Sequence, residues 1–225
     1  VLSPTAAGPP GNPGHDGPAA RRAAHASGAR AAEPGRVGPN AIVRVAEALV
    51  DRIGPDAAQA LFGAAGIVHH LLSAPGAMVD EDDVGALQAQ LRRSLAPHLA
   101  EAVCEDAGRR TGDYLLAHRI PRAAQAVLKL LPAGLAARVL TQAIARHAWT
   151  FAGSGTFSYT PGKPFVLRIA GCPLCRRIRA DGPVCHYYAA TFERIFRALV
   201  SPRTRVVEIE CEAAGGRACT FEANW

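Results

Sequence analysis

The sequence predicts an α+β fold, an antiparallel sheet packed by helices, and three observations carry that prediction. Apolar residues recur at helical spacing through the first two thirds of the chain, as in Ile42, Val45, Leu49 and Ile53. After Gly153 the pattern changes to strand alternation, with Phe165, Leu167 and Ile169 on one face. Near the end, two strand-like runs, Thr204 to Cys211 and Ala218 to Phe221, flank Gly215–Gly216, a pair able to take the positive φ of a tight hairpin. Helices first and strands last imply segregated layers, not alternating βαβ units.

The elements follow in order. Residues 1–35 are rich in Pro, Gly and Ala without a sustained apolar period and are expected to be a disordered tail. The folded domain is expected over 36–225, helical over 36–152 and β-rich over 153–225. Asn40 is placed to cap the first helix, and a second helix is expected from Pro55 to Leu72, ending at His69 and His70. Asp80 to Asp83 put negative charge at the start of the next helix, whose stripe is Val84, Leu87, Leu91 and Leu95. Pro97 opens a helix running to Tyr114 and His118, with Gly108 and Gly112 as weak points in its middle. A helical turn from Pro121 ends before Pro132. The most regular helix runs through Leu135, Val139, Leu140, Ala143, Ile144, His147, Ala148 and Phe151 on one face. A last helix, Val184 to Leu199, turns Tyr188, Phe192, Ile195, Phe196 and Leu199 inward.

Composition narrows the function. The 225 residues are 49% apolar, enough for one sizeable core, and carry a formal charge of +6, with the excess in scattered arginines. Such a surface suits an anionic small molecule or a membrane face; no helix-turn-helix, zinc-finger or RNP pattern points to nucleic acid. No signal peptide or 18-residue apolar span is visible, so a reduced, cytoplasmic chain is expected, with peripheral membrane association open to it. Gly153-Ser154-Gly155 lacks the third glycine and the preceding strand of a dinucleotide loop.

Six cysteines are the most informative residues. Cys211 and Cys219 lie at either side of the predicted hairpin, and Cys185 opens the last helix, where free N–H groups favour a thiolate. Thiolates at about 2.3 Å in a tetrahedron make Zn²⁺ the natural ion. Cys172-Pro-Leu-Cys175 supplies either a redox pair or half of a rival zinc site made of Cys172, Cys175, Cys211 and Cys219. Cys104 has no neighbour at metal spacing and reads as a core residue.

The spacing Cys185, Glu208, Cys211 and Cys219 resembles the zinc-ligand pattern of the 4-vinyl reductase domain family. The blocks Arg36-Val-Gly-Pro-Asn-Ala-Ile, Tyr114-Leu-Leu-Ala-His-Arg-Ile-Pro and His147-Ala-Trp-Thr-Phe-Ala-Gly-Ser-Gly are similar to its bacteriochlorophyll-synthesis members, and the likeness runs from about Arg36 to Trp225. The resemblance implies a closed structural zinc site and a ligand cavity between sheet and helices. It also implies a homodimer and a role with a divinyl (proto)chlorophyllide-type tetrapyrrole whose ring-B vinyl group is reduced, either by this chain or by a separate reductase to which it delivers pigment. Other enzymes of the pathway are then partners, at or near the photosynthetic membrane. A zinc-stabilised small-molecule sensor is the remaining reading. Glu208 poses a parity problem: in an ideal strand it and Cys211 face opposite ways, so both can reach one ion only across a bulge or strand end, failing which His186 or Glu210 would substitute. His147, on the apolar stripe with Phe151 four residues on, is a candidate pigment contact, with His118 a third; the alternative is a buried structural histidine.

Overall fold

The computed structural model describes residues 35–225, so the expected N-terminal tail, apart from Gly35, lies outside the described residues. Helices fill the first part and a four-stranded antiparallel sheet the last, as the α+β reading requires. The sheet runs β3 (Thr156–Thr160), β4 (Phe165–Ala170), β6 (Cys219–Asn224), β5 (Arg205–Glu210). A separate two-stranded ribbon pairs β1 (Arg36–Val37) with β2 (Val79–Asp80); at two residues each, neither strand has a pattern that sequence periodicity could register.

Alternation along β4 and β6 builds one buried face. Phe165, Leu167 and Ile169 point inward from β4, and Cys219, Phe221 and Ala223 from β6. Against this face lies α9 (His186–Leu199), whose Phe192 and Phe196 rings meet Phe221 and Phe165 with centroids 5.6 and 6.0 Å apart. Behind α9 runs α5 (Pro97–His118), unbroken over 22 residues. Its central glycines serve contact: a Cβ on Gly108 would sit 2.3 Å from the Tyr187 carbonyl oxygen, and one on Gly112 would sit 2.7 Å from Arg194 Cβ. Thr191 Oγ1 donates across the same seam to Gly108 O at 3.1 Å. The cost in helix propensity is offset by close approach of two helices, which fixes where α9 and its N-terminal cysteine sit.

The remaining helices depart from expectation in three places. Asn40 does not cap α1 (Asn40–Ile53); the helix already includes it, and the Pro39 carbonyl accepts from Ile42 and Val43 instead. The single helix expected over Pro55–Leu72 is two, α2 (Pro55–Ala64) and α3 (His69–Leu72). Gly66, at φ 78°, turns the chain left-handed, and Ile67 N–H returns to Phe62 O in a Schellman-type stop. Downstream of α4 (Glu81–Ser94) and α6 (Arg122–Leu130), the regular helix is also split, into α7 (Ala133–Arg146) and α8 (Trp149–Ala152). Tertiary bonds win over periodicity here, since Thr150 O accepts from Gly38 N–H at 2.6 Å and Phe151 O from Tyr188 Oη at 2.6 Å. Among the described residues no helix is long and apolar enough to cross a membrane.

Candidate metal centre

Five cysteines and one glutamate converge where the sheet meets the start of α9. Cys172 and Cys175 come from the loop after β4, Cys185 from the N-cap of α9, Cys211 from the end of β5 and Cys219 from the start of β6. All five are buried and unbridged. Their sulfurs lie 3.6 Å (Cys172–Cys185), 3.4 Å (Cys175–Cys219), 3.5 Å (Cys185–Cys219), 4.0 Å (Cys185–Cys211) and 3.8 Å (Cys211–Cys219) apart. A tetrahedron with metal–sulfur bonds of about 2.3 Å has edges of about 3.8 Å, so these separations suit donors around a single small ion. A disulfide, at about 2.05 Å, is far shorter.

The parity problem of Glu208 is solved by the backbone. In the β5–β6 ladder Glu208 pairs with Phe221 but Glu210 with Thr220, a register shift that marks a bulge. Glu208 and Cys211 can therefore face the same cluster. Glu208 Oε2 accepts from Cys185 N–H at 2.7 Å, while Oε1 is buried with no hydrogen-bond partner. Burial pushes this carboxyl up to about 8, the Cys211 sulfur adds to the shift, and the Cys185 N–H opposes it. A buried carboxylate oxygen without a partner, set among thiols, is the chemistry a cation satisfies. The two substitutes lie elsewhere. His186 faces Glu101, Nδ1 to Oε1 3.8 Å, and Glu210 accepts from Arg217 N–H and Thr220 Oγ1, both at 3.0 Å.

Two complete four-donor sets result: Cys185, Glu208, Cys211 and Cys219, and Cys172, Cys175, Cys185 and Cys219, with all ligand atoms of each set within 4.8 Å of one another. The rival set expected from the sequence pairs Cys172 and Cys175 with Cys211; the fold gives them Cys185 instead. The hairpin between Cys211 and Cys219 is also more than a tight turn. A 3₁₀ segment, Glu212–Ala214, leads to Gly215 at φ 86°, whereas Gly216 is required for space, a Cβ there falling 2.6 Å from Glu210 Cγ. Glu212 turns back to hold the CxxC loop, accepting from Gly171 N–H at 2.6 Å and Cys172 N–H at 2.8 Å.

A second polar node, not anticipated from the sequence, braces that loop. Glu81, first residue of α4 and almost fully buried, accepts from Ser154 N–H at 2.8 Å, from Ser154 Oγ at 2.6 Å and from Arg176. Arg176 also donates to Gly171 O at 2.8 Å. Burial raises the Glu81 carboxyl, but the Ser154 and Arg176 interactions outweigh it and leave the pKa below the ordinary value. The acidic run at the helix start signals only a dipole interaction; nothing local points to Ser154 or Arg176.

The pigment candidates are not gathered in one cavity. His118 lines a cleft of about 340 Å³ with Arg44, Arg110 and Tyr114, to which neither His147 nor Phe151 contributes. His147 is exposed at the end of α7, not buried on its stripe, because the buried face is Ala136, Ala137, Leu140 and Thr141. Its Nδ1–H donates to Ala143 O at 3.0 Å, which leaves Nε2 bare. Leu135, Val139 and Ala143 continue the same exposed row at four-residue steps, and Trp149 beside it is 61% exposed. Phe151 is half-buried, its ring meeting Phe157, Tyr188 and Phe192 at 5.4–6.2 Å. Of the earlier histidine pair, His70 bonds Asp83 at 2.8 Å.

Comparison with known proteins places these features. The model of the 4-vinyl reductase domain matches residues 165–224, a stretch that contains all five clustered cysteines and Glu208. The bacteriochlorophyll synthase 23 kDa chain of Cereibacter sphaeroides is 44% identical over 190 residues, 83% of this chain and 89% of that one. Its namesake in Rhodobacter capsulatus is 39% identical over 186 residues, 83% of this chain and 85% of that one. An uncharacterized protein of Methanocaldococcus jannaschii is 29% identical over 70 residues, 31% of this chain and 39% of its own length.

Proposed function

We propose, because the chain belongs to the 4-vinyl reductase domain family together with the bacteriochlorophyll synthase 23 kDa chains, that it is a bacteriochlorophyll-synthesis protein that binds a divinyl (proto)chlorophyllide-type tetrapyrrole at the step where the ring-B vinyl group is reduced. The observation that carries the pathway is identity of 44% spread over nine tenths of a relative. Zinc held by Cys185, Glu208, Cys211 and Cys219 fastens the hairpin to α9; the four donors fill a tetrahedron, which makes the site structural. The pigment contact is the exposed end of α7. His147 offers a bare Nε2 to a chlorin magnesium or a ring substituent, Trp149 an aromatic face, and Phe151 anchors this corner to the aromatic core. His118, in its separate cleft, is not needed.

One observation favours delivery of pigment to a separate reductase over reduction by this chain. The segment nearest in kind to a dinucleotide loop, Gly153–Gly155, has its Ser154 N–H committed to the Glu81 carboxylate, which would repel a cofactor phosphate. A homodimer associated with other pathway enzymes fits this role. The test is to titrate purified protein with divinyl protochlorophyllide, with and without NADPH, recording absorption and product. Saturable binding without product supports the carrier, product formation makes the chain the reductase, and absence of binding overturns the proposal.

A further inference from the structure

The cysteine cluster contains more donors than one ion can use. The two four-donor sets share the Cys185–Cys219 edge, whose sulfurs are 3.5 Å apart. On one side of that edge stand Cys211, 4.0 and 3.8 Å from the two shared sulfurs, and Glu208. On the other side Cys172 lies 3.6 Å from Cys185, and Cys175 lies 3.4 Å from Cys219. Two tetrahedra with a common edge are the geometry of a pair of ions bridged by two thiolates.

We propose that the cluster is a dinuclear Zn²⁺ centre, with Cys185 and Cys219 as bridging thiolates, Glu208 and Cys211 completing one ion and Cys172 and Cys175 completing the other. The proposal rests on the reading that the Glu208 set holds zinc, and extends it to a second ion.

Charge does not oppose it. With one ion in the Glu208 set, about four negative donors face two positive charges while Cys172 and Cys175 remain thiols. The second Zn²⁺ replaces those two thiol protons, so the buried net charge is unchanged and only protons leave. The positive end of α9, which begins at Cys185, faces what remains. The second pair is also held in place by the protein. Glu212 fixes the Gly171 and Cys172 amides, Arg176 fixes the Gly171 carbonyl, and Ile178 N–H closes the turn on Cys175 O at 2.9 Å. Five thiols packed only as small apolar groups would have no use for a buried carboxylate among them. An iron–sulfur cubane places each thiolate on a different iron and so spreads the sulfurs more widely than 3.4–4.0 Å.

The full chain, purified reduced with zinc, should contain two ions per chain by elemental analysis against quantitative amino-acid analysis. Exchanged with ¹¹³Cd, it should give two resonances split by mutual coupling through the shared sulfurs. The Cys172→Ser/Cys175→Ser double variant should retain one ion and a single unsplit resonance. One ion in the wild type, unchanged in the double variant, would overturn the second site and leave the Glu208 site standing. One ion lost in the double variant but kept in Glu208→Gln would overturn both this proposal and the first assignment, as would no ion at all. Two resonances without coupling would overturn the bridge. Should the double variant fail to fold, the wild-type stoichiometry and coupling decide alone.

Discussion

Gly108→Ala is the sharpest test of how the helices position the site. In an exposed helix the change gains about 1 kcal/mol from propensity alone. At Gly108 the new Cβ would meet the Tyr187 carbonyl oxygen at 2.3 Å and the Ala190 Cβ at 2.9 Å. The first is backbone and cannot rotate away; it also accepts from Thr191 Oγ1 at 2.7 Å. Relief requires α5 and α9 to separate by about 1 Å, and overpacking of this kind costs about 1–3 kcal/mol. With loosened contacts along the seam outweighing the propensity gain, a net loss of about 1–2 kcal/mol is expected. In a domain of this size that lowers the thermal midpoint by about 2–8 °C. Gly63→Ala in α2 is the internal control: nothing lies within 4 Å of its Cβ, so it should raise stability by about 0.4–1 kcal/mol. Calorimetry or urea denaturation of both variants at fixed metal content reads the two signs. A Gly108→Ala variant as stable as the wild type would refute the close-approach argument.

Two further predictions concern buried carboxylates. Glu81→Gln removes the charged acceptor of Ser154 and Arg176 and should cost about 1.5–3 kcal/mol at pH 7. Because the folded pKa is lowered, the Glu81 contribution is present above the unfolded value and lost as pH falls through the folded one, so the gap between wild type and variant in urea midpoint should close below about pH 4. Glu208→Gln should act with opposite signs in two states. It weakens zinc retention against a chelator, yet stabilises the metal-free protein near pH 8. The raised carboxyl pKa, about 8 against 4.5, makes metal-free wild-type stability present below pH 4.5 and lost as pH rises through about 8, and the amide does not titrate. Equal pH slopes for the two metal-free proteins would remove Glu208 from the buried cluster.

Much of this molecule is legible in its sequence, for identifiable reasons. The four sheet strands and α9 carry long periodic runs, so their faces follow from alternation and 3.6-residue spacing. The need for a bulge between Glu208 and Cys211 follows from strand parity alone, and the ladder contains one. What local pattern does not encode are contacts across the fold. The break after Arg146 depends on Gly38 and Tyr188, and the burial of Glu81 depends on Ser154 and Arg176. His147 falls on an apolar stripe by periodicity, yet the helix buries the neighbouring face and leaves that row exposed. The two cysteines of the CxxC loop read as competitors for one ion because their spacing shows nothing of Glu212, which draws the loop to the shared edge.

The central claim is that the exposed end of α7 receives a tetrapyrrole. Its most direct test is titration of divinyl protochlorophyllide into wild-type protein and into His147→Ala, read by visible absorption with metal content and thermal midpoint measured on the same samples. His147 makes one hydrogen bond, to its own helix, so the variant should stay folded and metal-loaded. The account predicts saturable binding with a shifted pigment band in the wild type, and an affinity at least tenfold weaker, about 1.4 kcal/mol, with the shift lost in the variant. Identical binding curves and spectra for the two proteins would contradict it.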